Sequence, residues 1–335
     1  MTDRQSLKTA VFSIGTGIVI SLCMLIFFAP SPSNAAVDFI TGTFSSAFYF
    51  GTFLNSAVLL IIAGLGNSVS LKSGNLNLGG EGQIYAGGFV AALIFSSKFP
   101  PFASVAVSLM AAATTGALQT IICAFLRQIK KANVLLTSFL ISAALIPLID
   151  SLIAGKFRTQ TGNLLATEFV PENLRLLQIL KPSPLNVSLF FAPILCLGFH
   201  FFLHSTRTGR KLDIWGKAPE FARYCGYSEN KALYMSLAIS GAMHGLAGAL
   251  AVWGTYHTCH SGFYAGMGWN ALSCTLIAQS EPLLLIPASL ILSWLYTSAD
   301  RIALMQSIQF DISSLIQGII LLCISVNYIA RKRRT

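Results

Sequence analysis

The densest group of chemically capable side chains lies in Ser73–Gln83, SGNLNLGGEGQ, where Asn75, Asn77, Glu81 and Gln83 stand among glycines ahead of an apolar run. A carboxylate at that place is conspicuous, because a charge near hydrocarbon costs about 2.5 kcal/mol or more unless it is paired or wetted. Two readings of Glu81 stay open. It accepts backbone N–H groups at a helix N-terminus, with Asn75 or Asn77 as cap, or it touches cargo or a gate. A second polar break, HTCHSGFYAGMGWN over His257–Asn270, carries His257, Cys259 and His260. Zinc would need a further ligand that the segment does not supply, so a polar loop is expected.

Other chemistry finds no site. His200 and His204 share a helix face but lack the glutamate of an HExxH motif, and neither GxSxG nor a paired-carboxylate pattern occurs. Gly155 and Lys156 have Asp150 where a phosphate-binding loop needs its first glycine, so nucleotide hydrolysis must belong to another chain. The cysteines (Cys23, Cys123, Cys196, Cys225, Cys259, Cys274 and Cys323) never form a CxxC pair, and they read as free thiols.

What must position these residues is a bilayer. Of 335 residues, 54% are hydrophobic and 10% charged, with mean hydropathy +0.68, whereas a soluble domain carries roughly a quarter charged residues. Soluble enzymes and disordered or fibrous chains are excluded. The continuous apolar runs also argue against a transmembrane barrel, which alternates residue by residue. At about 20 apolar residues per crossing, an all-α membrane protein of about ten transmembrane helices is expected, as one domain over 1–335. The first span, Ala10–Phe28, exceeds a signal core and should stay in place. The others fall near 49–71, 83–96, 102–126, 133–153, 186–204, 231–253, 269–279, 282–296 and 312–329, with 83–96 and 269–279 conspicuously short.

With both termini cytoplasmic, 16 of the 22 Lys and Arg fall on the inside, as the positive-inside rule requires. The net charge of +10 therefore reports orientation and not nucleic acid. The two Gly-rich breaks sit at matching places in a first repeat (about 49–153) and a second (about 231–329), opening to opposite sides. That is the pattern of an inverted repeat around a midplane pathway.

Between the repeats, about 205–231, runs a charged loop too long for a simple turn. Its stretch Ala218–Tyr224 has Pro219 at a plausible first helical position. Arg210, Pro219, Glu220, Arg223 and Gly226 form the expected docking surface for a cytoplasmic partner. Aromatic rings gather at Phe48, Tyr49, Phe50 and Phe53, and again at Trp253, Tyr256, Tyr264 and Trp269. They suit either stacking on a heteroaromatic ligand or an interfacial belt.

LNLGGEGQ at Leu76–Gln83 resembles the NxGxEGQ signature of permease subunits from bacterial ABC importers for simple sugars, nucleosides and riboflavin. GRKLDIWGKAPEFARYCGY looks like that family's cytoplasmic loop, SGAMHGLAGAL like its next helix, and GWNALSCTLIAQSEPL like its second-half motif. Differences from the family pattern occur at Asp213, Ala218, His244 and in KANVLLTS near Asn133. The resemblance implies a permease in the bacterial cytoplasmic membrane without cofactor or ATPase of its own. Its expected partners are a second similar permease, two ATP-binding modules and an extracytoplasmic binding protein or lipoprotein. It also implies a translocation pathway shaped by Asn75, Asn77, Glu81, Gln83, Phe53, Trp269 and Asn270, and a cargo with a ring plus a ribosyl or ribityl chain. The alternative cargo is a ribose-type sugar. An ion-coupled transporter has only Glu81 and Asp150 as deep acids, which is thin support.

Overall fold

The computed structural model describes residues 15–16, 18–19, 23, 32–97, 99–160, 163–306 and 311–332. The expected first span lies almost wholly outside them. Among the described residues the chain is helical, and six helices are long and apolar enough to cross a membrane. In the order used below, α1 is Pro32–Thr41, α2 Ala47–Lys72, α3 Gly80–Phe95, α4 Pro101–Lys130, α5 Val134–Ala154 and α6 Ser188–Ser205. They are followed by α7 Arg207–Lys217, α8 Pro219–Tyr224, α9 Glu229–Leu250, α10 Met267–Ile277, α11 Leu285–Met305 and α12 Ile312–Lys332. The two short apolar stretches are helices of 16 residues (α3) and 11 residues (α10), each preceded by one of the Gly-rich breaks. α9 runs on through a π-helical turn, Ala251–Tyr256, to make one 28-residue apolar segment.

The helices differ in what surrounds them. The apolar windows of α2 and of the α9 segment are 67% buried, whereas those of α5 and α6 are 22% buried. α2 and α9 therefore form the axis. α6 leaves Phe190, Phe191, Ile194, Leu197 and Phe201 exposed, a face suited to hydrocarbon.

Apolar burial distinguishes helix from lipid poorly, so the axis is held by close backbone approach between small residues. A Cβ on Gly116 of α4 would lie 2.0 Å from the Gly241 carbonyl of α9. One on Gly245 would lie 2.1 Å from the Ala112 carbonyl, and one on Gly248 1.9 Å from the Ile84 carbonyl of α3. Gly241, Gly245 and Gly248 stand at helical spacing in SGAMHGLAGAL, which lets α3 and α4 both lie against one helix.

At one end of the bundle, α7 and α8 cross the helix termini. α8 starts with Pro219 at its first helical position, as expected. α7 is a helix where the glycines suggested only loop. Thr206 caps it by accepting the Gly209 amide at 3.0 Å, and its Leu212 and Trp215 pack with Val69 and Leu203. Gly209 and Gly216 do not break α7, because they are where it abuts backbone: a Cβ on Gly216 would sit 1.9 Å from the Lys72 carbonyl. At the other end, the segment 155–187 packs over the helix ends with its own short 3-10 turn at Glu172–Leu174.

Candidate functional site

The two Gly-rich breaks meet. α2 ends at Lys72, the chain turns back into the bundle, and α3 begins at Gly80. α10 begins from the other break at Met267. A Cβ on Gly80 would lie 3.2 Å from the Gly268 Cα, and one on Gly268 would lie 2.6 Å from the Glu81 amide nitrogen. Two half-helix N-termini thus abut, each with its positive dipole end at the junction.

Around that junction the carboxamides close on one another. Asn77 Nδ2 donates to Gln83 Oε1 at 2.9 Å and Gln83 Nε2 donates to Asn77 Oδ1 at 3.0 Å. Asn77 also donates to Ser240 Oγ of α9 (3.0 Å) and accepts the Gly79 amide (3.0 Å). His244, fully buried on α9, has Nδ1 2.9 Å from Gln83 Oε1. From α5, Ser138 and Ser142 accept the Leu78 and Gly82 amides at 3.0 and 2.7 Å. Unpaired backbone inside a membrane is tolerated only when satisfied this way.

Glu81 faces the opposite break: its carboxylate lies beside the Gly266 backbone. Its Oε1, His244 Nε2 and Asn270 Oδ1 are buried without a hydrogen-bond partner. The other deep acid, Asp150, is paired, accepting Tyr85 OH and Ser261 Oγ at 2.6 Å each.

Toward the end covered by 155–187 opens a cavity of about 560 Å³. It is lined by Phe48, Thr52 and Asn55 of α2, Tyr256 and Phe263 of the second break, Asn270 of α10, and Ser293, Tyr296 and Asp300 of α11. An amide clamp closes one wall. Asn186 Nδ2 donates to Asn55 Oδ1 and to the Gly254 carbonyl, both at 3.1 Å, and Asn55 Nδ2 donates to Thr255 Oγ1 at 2.8 Å. The Tyr296 hydroxyl is buried in this region without a partner.

The expected pathway residues are therefore distributed. Asn270 lines the cavity; Asn77 and Gln83 form the network behind it; Glu81 lies at the junction. Phe53 is buried between Phe44 and Phe50, with ring centroids 6.2 and 6.0 Å away, and Phe48 lines the cavity. Trp269 faces Phe139 at 6.4 Å. Asn75 lines a separate cavity of about 310 Å³ at the opposite end, with Pro219, Glu220 and Arg223.

At that end Arg223 bonds Glu220 and Glu229, each at 3.0 Å, and thereby ties α8 to the start of α9. Arg210 reaches the Ser205 carbonyl, and Gly226 turns the chain with φ 72°. Phe221 and Tyr224, 57% and 92% exposed, project from α8; both lie within the loop motif, though neither is among the docking residues expected from it. Glu281, before α11, accepts from Lys72 at 2.5 Å and faces His204 at 2.8 Å. Burial pushes its carboxyl up, but those two partners outweigh burial and hold it below the ordinary carboxylate range.

The family model described as "Branched-chain amino acid transport system / permease component" matches residues 49–325. A probable riboflavin import permease protein, RfuC, of Treponema pallidum is 32% identical over 94% of this chain and 84% of its own length. The guanosine ABC transporter permease protein NupP of Bacillus subtilis is 23% identical over 87% of this chain and 84% of its own. The glucose ABC transporter permease protein TsgB13 of Haloferax volcanii is 23% identical over 94% and 86%.

Proposed function

The chain belongs to the family of branched-chain amino acid transport system permease components, and from that premise we propose that it forms the membrane pathway of an ABC importer for a riboflavin-like or nucleoside-like cargo. The observation that carries the cargo class is the cavity between α2, the second break, α10 and α11. Its rings Phe48, Tyr256, Phe263 and Tyr296 offer faces to a heteroaromatic system, and Asn55, Thr52, Asn270 and Ser293 offer hydrogen bonds to a hydroxylated chain. Among the described residues Asp300 lines it and no Lys or Arg does, which suits a ligand without an anionic group. The similarity to a riboflavin import permease and a guanosine permease points the same way.

Energy enters from a separate ATP-binding subunit docked on α7 and α8, where exposed Phe221 and Tyr224 and the Arg223 ion pairs give it apolar and charged contacts. A second permease subunit completes the pathway, and an extracytoplasmic binding protein delivers cargo onto the 155–187 side. Reconstituted with its ATP-binding and binding-protein partners, the permease should take up radiolabelled riboflavin or guanosine, with uptake lost without ATP. Phe48→Ala together with Tyr256→Ala should lower that uptake at least about tenfold, since one stacked ring contributes about 1–3 kcal/mol. Uptake of glucose or ribose alone would overturn the cargo class and leave the permease reading standing.

The chain is read as ten crossings in an inverted repeat, one domain in the bacterial cytoplasmic membrane with both ends inside, on the strength of its charge distribution and its abutting half-helices. In intact cells, an impermeant maleimide should label a cysteine at Lys156 and not one at Lys217, and a reporter fused after Thr335 should be active on the cytoplasmic side. Labelling of both cysteines, or a tail outside, ends this topology.

A further inference from the structure

At the end of the bundle that carries α7 and α8, three donors from two elements converge. His200 and His204, one turn apart on α6, have ring centroids 4.5 Å apart. Glu281 comes from the turn between α10 and α11. One ligating atom from each lies within 4.8 Å of the others, and His204 Nε2 is already 2.8 Å from Glu281 Oε2. His200 Nδ1 is buried with no hydrogen-bond partner.

The turn that presents Glu281 is strained. Gln279 and Ser280 are consecutive non-glycine residues at φ 54° and 61°. Such a conformation is disfavoured for a residue with a side chain and persists where surrounding structure fixes it. We propose that His200, His204 and Glu281 form a binding site for a divalent transition-metal ion, of the class that prefers imidazole with one carboxylate, such as Zn²⁺ or Co²⁺.

Two imidazole nitrogens and one carboxylate oxygen supply three ligands, and water completes a four-coordinate shell. Lys72 occupies the other carboxylate oxygen, Oε1, at 2.5 Å. It holds Glu281 in place with Oε2 facing the histidines, its Nζ also lies 3.4 Å from His204 Nε2, and its charge opposes the incoming cation. A metal here would pin α6 to the α10–α11 turn beside the first residue of α7.

The opposing charge distinguishes this site from an ion pair with two bystander histidines. The test is Co²⁺ titration of the full-length permease in nanodiscs after chelator treatment, followed by visible absorption and bound-metal analysis. One equivalent of Co²⁺ per chain with ligand-field bands is expected. Lys72→Ala should tighten binding roughly tenfold or more, because it removes a like charge a few ångströms away. His200→Ala and Glu281→Gln should each weaken it by more than the roughly 100-fold that outer-shell losses reach. Circular dichroism and a monodisperse elution peak establish that each variant is folded, and His204→Gln replaces any variant that is not. Absence of one-to-one Co²⁺ binding by both wild type and Lys72→Ala overturns the site. So does binding that survives loss of His200 or Glu281 in folded protein.

Discussion

Gly245→Val should leave almost no folded permease. The Gly245 position is walled by the backbone of α4: a Cβ there meets the Ala112 carbonyl oxygen at 2.1 Å and the Ala112 carbonyl carbon at 2.9 Å. These are backbone atoms that cannot rotate away, so α9 must separate from α4. Overpacking usually costs about 1–3 kcal/mol where side chains can yield, and this position has none that can. Against a total stability on the order of 5–15 kcal/mol, the expected result is loss of the monodisperse fraction in fluorescence-detected size exclusion. Gly198→Ala on α6 is the matched control. Nothing lies within 4 Å of a Cβ there, and the change should be neutral or stabilising by up to about 1 kcal/mol. A Gly245→Val protein with wild-type yield and melting temperature would refute the close approach.

Gln83→Leu should be the most damaging single change at the junction. Gln83 Oε1 serves both Asn77 and His244, and Gln83 Nε2 serves Asn77. Leucine strands these buried groups, at roughly 1–3 kcal/mol for each unsatisfied group. Thermal unfolding in detergent should fall by several degrees or more, and uptake should fall with it. Glu81→Gln should behave differently. A carboxamide keeps the shape and one acceptor oxygen beside the Gly266 backbone, and only the charge that favours the helix end is lost, about 0.3–2 kcal/mol. Folded yield should hold. If uptake nevertheless vanishes at normal yield, Glu81 acts on cargo or gate beyond its anchoring role.

Much of this was legible in the sequence for identifiable reasons. Long apolar runs with Gly-rich interruptions specify crossings and breaks because lipid imposes a length on every helix. Pro219 at the start of α8 and Ser228 before α9 mark helix starts through local chemistry. α7 was hidden because Gly209 and Gly216 read locally as interruptions, whereas each is set by contact with backbone distant in sequence. The cavity was partly hidden for the same kind of reason. Asn270 and the rings Phe48 and Tyr256 were visible as polar or aromatic features at a break. Asn55 and Tyr296 sit inside apolar runs, and their burial beside the cavity depends on neighbours 130 or more residues away, such as Asn186 for Asn55. Glu81 illustrates the limit well. Its position at a helix start was plain, but Gly266, which lies beside its carboxylate, belongs to the second Gly-rich break far along the chain, and nothing local encodes that proximity.

The segment 155–187 is stitched to the second break by main-chain bonds: Thr167 to Cys259 at 3.0 Å, Val170 to His257 at 2.7 Å and Ser261 to Leu165 at 2.9 Å. Such a ladder resists shear far better than side-chain contacts do, so the two strips displace as one plate. Only the five residues from Gly262 to Gly266 then join that plate to the head of α10. A displacement of that plate would therefore be expected to reach the Gly80–Gly268 contact as a change of spacing between two helix ends.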